Sequence, residues 1–273
     1  MLKILFLGDV IGEPGRRAVV DSIAEFKEKR GVDFVVVNGE NAANGRGITP
    51  RIAIDLLRAG AAVITSGDHI WDQRDIVPYI DTEPRLLRPI NYPDGTPGNG
   101  SIVLETAKGK IAVINVQGRT FMQPPLENPF VAMDQEVARL REETPVIFVD
   151  CHAETTSEKI AMARFLDGRI SALIGTHTHT QTADEQVFPG GTAFLCDAGM
   201  CGPVESCLGR EIDPIIRRFL TSRPAQFPVA GGPVKLHGAI IEIDEQTGRA
   251  HRIERVAQLY HPAGDGREDE RSR

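Results

Sequence analysis

Short, mostly apolar runs recur along this chain, and each leads into a polar, glycine-rich loop and then a stretch of helical pattern. The first three are Ile4 to Leu7, Asp33 to Val37 and Ala62 to Thr65. An apolar run without alternation reads as a strand buried on both faces. Helices are expected from about Arg16 to Lys29 and from Thr49 to about Ala59, the second with Thr49 as N-cap and Pro50 at its first position. A chain built this way is an α/β protein, and its strand-end loops gather at the carboxyl edge of a sheet, where chemistry is usually placed. The loops here carry Gly8-Asp9, Asn38-Gly39-Glu40-Asn41 and Gly67-Asp68-His69. Alone, Asp9 serves equally well as a helix cap; three such residues in register make a site. The glycines after the first strand do not spell the dinucleotide fingerprint GxGxxG.

The rest of the chain continues the pattern less regularly. Pro84 to Gly98 is an irregular, proline-rich connection, and residues 101–105 and 110–116 form a hairpin around Ala107-Lys108-Gly109. Gln117 to Pro129 is a loop. Phe130 to Arg141 is a helix whose Val131, Met133, Val137 and Leu140 are expected in the core. Val146 to Val149 is a strand ending in Asp150-Cys151-His152, and Ser157 to Leu166 a helix. Strands over Ile170 to Ile174 and Thr192 to Leu195, a helix over Ile212 to Leu220 and a hairpin of Val234 to Ile243 with His251 to Val256 complete the fold. No repeat or linker divides the chain, so one domain is expected over residues 1–262, with a disordered, charged tail over residues 263–273.

With 273 residues, 41% of them hydrophobic, the chain can bury a large core unaided. A net charge of -7 and a pI of about 5.6 argue against a non-specific nucleic-acid or membrane-surface binder. The four cysteines form no CxxC pair, which suits reduced thiols and a cytoplasmic protein. The amino-terminal apolar run is too short for a signal peptide.

The strand over Ile170 to Ile174 ends in Gly175-Thr176-His177-Thr178-His179. In an extended chain, residues two apart share a face, so both imidazoles can address one point, and imidazole is the commonest metal-ligating side chain. An isolated HxH serves equally as two loop histidines. Taken with the other strand ends, however, it joins Asp9, Glu40, Asn41, Asp68, His69 and His152. Mixed carboxylate, amide and imidazole donors suit Mn, Fe or Zn, and a cysteine-free set is unlike structural zinc. These are too many for one ion. Two ions about 3.5–4 Å apart would use them all, and such a pair activates water and polarises phosphoryl oxygens.

The residues just quoted resemble the dispersed motifs of the calcineurin-like metallophosphoesterases. More narrowly, NGENAANGRGIT, DHIWD, DCHAETTSEK and GTHTHTQTAD resemble the YmdB family of bacterial phosphodiesterases, over residues 4 to about 202. The resemblance implies a single-domain, four-layer αββα sandwich with a binuclear centre of two divalent or transition metals, Fe or Mn first and Zn as an alternative. It implies that Asp9, Asn41 and His179 hold one metal, that Asp68, His152 and His177 hold the other, and that Glu40 bridges. His69 would stay unligated as the catalytic acid, assisting in-line attack by a metal-bridging hydroxide. The implied substrates are small phosphodiesters such as 2′,3′-cyclic nucleotides, opened at the 2′ position; RNA stays open, a membrane partner is not implied, and a homo-oligomer is expected.

Two departures matter. The wider superfamily carries GDxH near its start, whereas Asp9 is followed by Val10-Ile11, with Asn41 standing in as an oxygen donor. The usual GNH is here Gly67-Asp68-His69. Three carboxylates against two divalent ions leave roughly +1 rather than +2 facing an anionic substrate, which predicts tighter metal and weaker phosphate attraction. Arg16, Arg17 and Arg46 read as solvated charges, with phosphate contact as the alternative. The rival functions are a phosphomonoesterase or nucleotidase using the same site, and a metal-binding regulator with little turnover. A metallo-β-lactamase-like site is disfavoured, because such a site wants HxHxDH and His179 leads into Thr180-Gln181-Thr182.

Overall fold

The structure, a computed structural model, describes residues 1–261. In chain order it contains β1 (Leu2–Leu7), β2 (Asp9–Val10), α1 (Gly12–Arg30), β3 (Phe34–Asn38), α2 (Pro50–Ala59), β4 (Val63–Thr65) and α3 (Ile76–Ile80). Then come β5 (Ser101–Thr106), β6 (Gly109–Gln117), α4 (Pro129–Leu140), β7 (Ile147–His152), α5 (Thr156–Leu166), β8 (Ala172–Thr176), β9 (Gln186–Val187) and β10 (Ala193–Leu195). The chain closes with β11 (Met200–Pro203), α6 (Ile212–Thr221), β12 (Val234–Ile243) and β13 (Ala250–Tyr260).

Two sheets stack face to face. One runs β2-β11-β12-β1-β3-β4 with β13 against β12, and the other runs β5-β6-β7-β8-β10-β9. Within them β1, β3 and β4 are mutually parallel, as are β6, β7, β8 and β10. The apolar runs have no polar side because each sheet is covered twice. Leu5, Leu7, Val35 and Val37 pack towards α1 and α2, while Ile4, Phe6, Phe34 and Val36 face the second sheet. There Phe6 meets Phe148 with ring centroids 5.3 Å apart. On the far side Ile147, Val149 and Leu173 pack with Met133, Val137, Met162 and Leu166 from α4 and α5. Three cores separate four layers, the αββα order expected. Each fully buried Leu, Ile or Phe in them contributes about 1.5–3 kcal/mol of transfer free energy.

The elements differ from expectation at a few points. Helix α1 begins at Gly12 rather than Arg16, because Pro14 is tolerated in a first turn where its missing N–H has no partner to lose. Val131 is 52% exposed rather than in the core. The buried stripe of α4 is Met133, Val137 and Leu140, at i, i+4 and i+7, and Val131 lies off it. The two-residue strands β2 and β9, and β11, whose Met-Cys-Gly-Pro is no apolar run, escape a sequence pattern read in apolar runs. Residues 263–273, where a disordered tail is expected, lie outside the described residues.

Candidate metal centre

All the parallel strands point their carboxyl ends the same way within each sheet, and the two sets of ends meet over one spot. Asp9 follows β1, Glu40 and Asn41 follow β3, and Asp68 and His69 follow β4. From the second sheet His152 closes β7, while His177 and His179 follow β8. Gly67 is needed where the two meet, since a Cβ there would run into Glu40 Oε2 and the His152 ring.

The side chains form two groups that share one residue. Donor atoms of Glu40, Asp68, His152 and His177 lie within 4.8 Å of one another, and so do those of Asp9, Glu40 and His179. Asn41 joins the second group, with Nδ2 2.7 Å from Glu40 Oε1 and 3.1 Å from His179 Nε2. His69 stands outside both. Its Nδ1 lies 3.1 Å from Asp72 Oδ2, which in turn takes Arg46 Nε at 2.8 Å. Arg46 is therefore paired, while its side chain stays largely in solvent. Arg16, half-buried, donates to Ala42 O at 3.0 Å and so braces the loop before it, while Arg17 stays exposed beside Asp21.

The histidine pair does not work through an extended chain. His177 and His179 have φ of 95° and 64°, left-handed values that cost a non-glycine residue of order 1–3 kcal/mol. The loop turns twice, which sends each ring to a different group. What holds it is Asp197 at the end of β10, whose Oδ2 accepts from Thr178 N at 3.1 Å and Thr178 Oγ1 at 2.7 Å. That same oxygen accepts from Lys159 Nζ at 2.8 Å, and Lys159 also donates to Thr176 O.

Charge in the centre is poorly balanced without a ligand. His152 Nε2 carries at most one proton, yet it faces Glu40 Oε2 at 3.0 Å, Asp68 Oδ1 at 3.0 Å and His177 Nδ1 at 3.1 Å. Neither Asp9 Oδ1 nor Glu40 Oε2 accepts a well-aligned hydrogen bond, although both are buried. Burial pushes the Asp9 carboxyl well above its usual range, and Glu40 pushes it further. Burial opposes a charged His152, but Glu40, Asp68 and Asp9 outweigh it and hold that ring well above an ordinary imidazole. For Asp68 burial is outweighed by hydrogen bonds from His152 and His177, which lower its pKa. His179 is lowered by burial. Converging acceptors with too few protons are what a cation site looks like before a cation is placed in it. The donor set fits two such ions. Asn41 would offer Oδ1 after a half-turn of its amide, since its NH₂ now faces Glu40 and His179.

Behind these residues stands a layer to which sequence reasoning assigned no role. His152 Nδ1 is 2.9 Å from Thr176 Oγ1, and that hydroxyl spends its only proton on Asp150 Oδ1 at 2.7 Å. The hydroxyl must therefore accept Nδ1–H, which leaves Nε2 of a neutral ring bare towards the centre. Glu154 Oε2, 3.1 Å from His177 Nε2, does the same for His177 and frees Nδ1. One member of the layer was marked in the sequence. Lys159 sits on the stripe of Met162, Ala163 and Leu166 that α5 buries, and a lysine on such a stripe needs a buried partner. The thiol of Cys151, beside His152, is pushed up by burial to about 12, so it offers no nucleophile.

The chain resembles known proteins along most of its length. The chain is 48% identical over 255 residues to the 2′,3′-cyclic-nucleotide 2′-phosphodiesterase of Bacillus subtilis (strain 168), covering 93% of this chain and 96% of that one. Among solved structures, a hypothetical protein from Thermus thermophilus superposes with a TM-score of 0.89 at 38% identity, covering 95% of this chain and 100% of that one. A phosphatase from Mycoplasma pneumoniae gives the same TM-score at 34% identity, with 95% and 94% covered. Residues 5–256 match the family described as YmdB-like protein, and the chain belongs to that family.

Proposed function

We propose that this protein is a dinuclear metal-dependent phosphodiesterase acting on small phosphodiesters of the 2′,3′-cyclic nucleotide class. The observation that carries the reading is the pair of donor groups hinged on Glu40, with more buried acceptors than protons to serve them. The relative at 48% identity named as a 2′,3′-cyclic-nucleotide 2′-phosphodiesterase supports the substrate class. In this reading Asp9, Asn41 and His179 would hold one ion and Asp68, His152 and His177 the other, with Glu40, common to both donor groups, available to each. Bound ions would supply Lewis-acid charge to phosphoryl oxygens and acidify a water at neutral pH.

The remaining work falls to the chain itself. Asp72 fixes His69 through Nδ1, which leaves Nε2 to give a proton to the departing 2′ oxygen. Asp150, through Thr176, and Glu154 set the tautomers of His152 and His177, so that the nitrogens that would meet the ions are left bare. Asp68 adds a negative charge where the superfamily has an amide, so Asp68→Asn should loosen metal and tighten diester binding.

A panel of bis-aryl phosphate, mono-aryl phosphate and 2′,3′-cyclic nucleotides, run on protein purified without chelator and analysed for metal, tests the proposal. Turnover of the diesters with about two metals per chain is expected. Turnover of the monoester alone would favour a phosphomonoesterase instead, and bound metal with no turnover would favour a regulator.

A further inference from the structure

The loop after β3 carries Glu40 and Asn41 and then turns through Asn44, Gly45 and Gly47, whose φ values of 52°, 83° and 75° are left-handed. Turns of this kind leave carbonyls without an amide of their own loop, and each needs a donor from elsewhere. Side chains supply them. Arg16 donates to Ala42 O at 3.0 Å, Gln73 to Arg46 O at 2.8 Å, and Arg210 to both Asn44 O and Gly45 O. Arg210 comes from 166 residues beyond Asn44, and its Nη1 also reaches Phe227 O at 2.9 Å. The guanidinium is half-buried, and among the described residues it donates only to main-chain carbonyls. It lies so close over the loop that a Cβ on Gly45 would collide with it.

The two residues before Arg210 border the rest of one donor group. Leu208, left-handed with φ of 51°, brings its main chain to the His179 ring, in a hydrogen bond too poorly aligned to satisfy the buried Nδ1. Gly209 lies against Ile11, two residues after Asp9, and the next residue, Gly12, donates its N–H to Asn41 O at 3.0 Å. Among the described residues, no hydrogen bond joins Leu208, Gly209 or Arg210 to Asp68, His152 or His177. The segment is itself fixed. Cys207 and Arg210 exchange main-chain hydrogen bonds, Gly209 O accepts from Ala230 N, and Glu211 N donates to Pro228 O. Given the two-ion reading on which this rests, we infer that Arg210 is a positioning residue for the Asp9, Asn41 and His179 half of the centre. It clamps the Glu40–Gly47 loop to the fixed segment that also borders Ile11 and His179. A planar fork with five donors can hold two carbonyls of the loop and one of its own segment together, whereas a lysine offers a rotating point charge.

Amide hydrogen exchange and metal analysis on the full chain test this. In chelator-stripped protein, Arg210→Met should speed exchange of the Ala43 and Arg46 amides, which donate to Gly47 O and Ala43 O, and leave those of β7 and β8 unchanged. In protein purified without chelator, Arg210→Met should release one ion at about tenfold lower chelator concentration and hold the other as wild type does. Tenfold is the lower end of what a group behind a metal ligand commands. Arg210→Lys should fall between. Added to His179→Ala, Arg210→Met should leave the remaining ion as tightly held as before; added to His177→Ala, it should loosen the remaining ion about tenfold. Loop exchange that stays at the wild-type rate would overturn the inference, whatever the metal content. So would equal loosening of both ions with a lower melting temperature, which is how a merely structural residue behaves, or a larger effect on the His179→Ala background. A wild-type chain that holds a single ion would instead refute the two-ion reading, and loop exchange would still decide for or against Arg210.

Discussion

Lys159 and Asp197 are each 1% exposed, as deeply buried as Asp9, Glu40 and His152. Yet the two clusters of charge are built differently. Every polar atom of the Lys159–Asp197 pair has a partner: Asp197 collects Lys159, both donors of Thr178 and the amide of Gly199, and Lys159 also reaches Thr176 O. A short stretch of backbone away, the centre leaves Asp9 Oδ1 and Glu40 Oε2 without aligned donors and asks one His152 nitrogen to serve three acceptors. The first cluster is complete in the polypeptide. The second is complete only with something added. A buried charge that is satisfied holds structure, and one that is not marks where a ligand's charge is expected.

The sharpest way to break this contrast is to open the satisfied pair. Lys159→Met leaves a buried Asp197 carboxylate without its cation, which costs about 3–5 kcal/mol. Urea unfolding should show that loss whether or not metal is present. Asp197 also pins the left-handed His177–Thr178–His179 turn, so the variant should bind metal more weakly as well. A loss under about 1 kcal/mol, the size of a surface ion pair, would show that the pair does not act as a closed unit.

Next in size is Glu154→Gln. Glu154 is half-exposed and touches the centre only through His177 Nε2. Replacing a carboxylate that orients a ligating imidazole typically weakens metal affinity by about 10–100-fold. Competition with a chelator measures it, and the fold itself should be unaffected. Unchanged affinity would mean that His177 is held by its strained backbone alone.

How much of this was legible in the chain depends on the range of each interaction. Asp9, Glu40, Asn41, Asp68, His69 and His152 could be found because each sits at the end of an apolar run, a local pattern, and parallel strands bring such ends together. The four layers were legible from runs with no polar face. The conformation of His177 and His179 was not, because the left-handed turn is imposed by Asp197, reached only when β10 pairs with β8. The roles of Asp150 and Thr176 were hidden for the same reason: the relay to His152 exists only across β7 and β8.

The pH dependence of stability separates the clusters by a smaller amount. In chelator-stripped protein, His152 and Asp9 both have folded pKa values raised above their unfolded ones. Each therefore contributes stability that is complete below its unfolded pKa and is lost as pH rises through the folded one. Glu40 and Asp68 are lowered, so their contribution is present above the carboxylate range and lost only on acidification. Between about pH 7 and 9 only the raised groups matter. Stripped protein should lose stability over that range more steeply than metal-loaded protein, at up to about 1.4 kcal/mol per pH unit for each such group. Metal loading near neutrality should correspondingly release protons, detectable by calorimetry in buffers of different ionisation enthalpy. Parallel curves for the two forms would mean that His152 is already neutral in the empty centre.

Asp9→Asn is the smallest effect and the most discriminating, because its sign differs between the clusters. In stripped protein the Asp9 carboxyl is buried, lacks a partner at Oδ1 and stands beside Glu40, and both burial and Glu40 oppose its ionisation. A neutral amide of the same shape removes that repulsion and brings an NH₂ that Glu40 can accept, so the stripped variant should be more stable by about 1 kcal/mol. The metal-loaded variant should be less stable than metal-loaded wild type, because a charged donor has been lost. Urea unfolding of both forms gives the two signs directly. If Asp9→Asn destabilised the stripped protein as Lys159→Met does, the centre would be a satisfied cluster like its neighbour, and its unpaired acceptors would no longer argue for a cation.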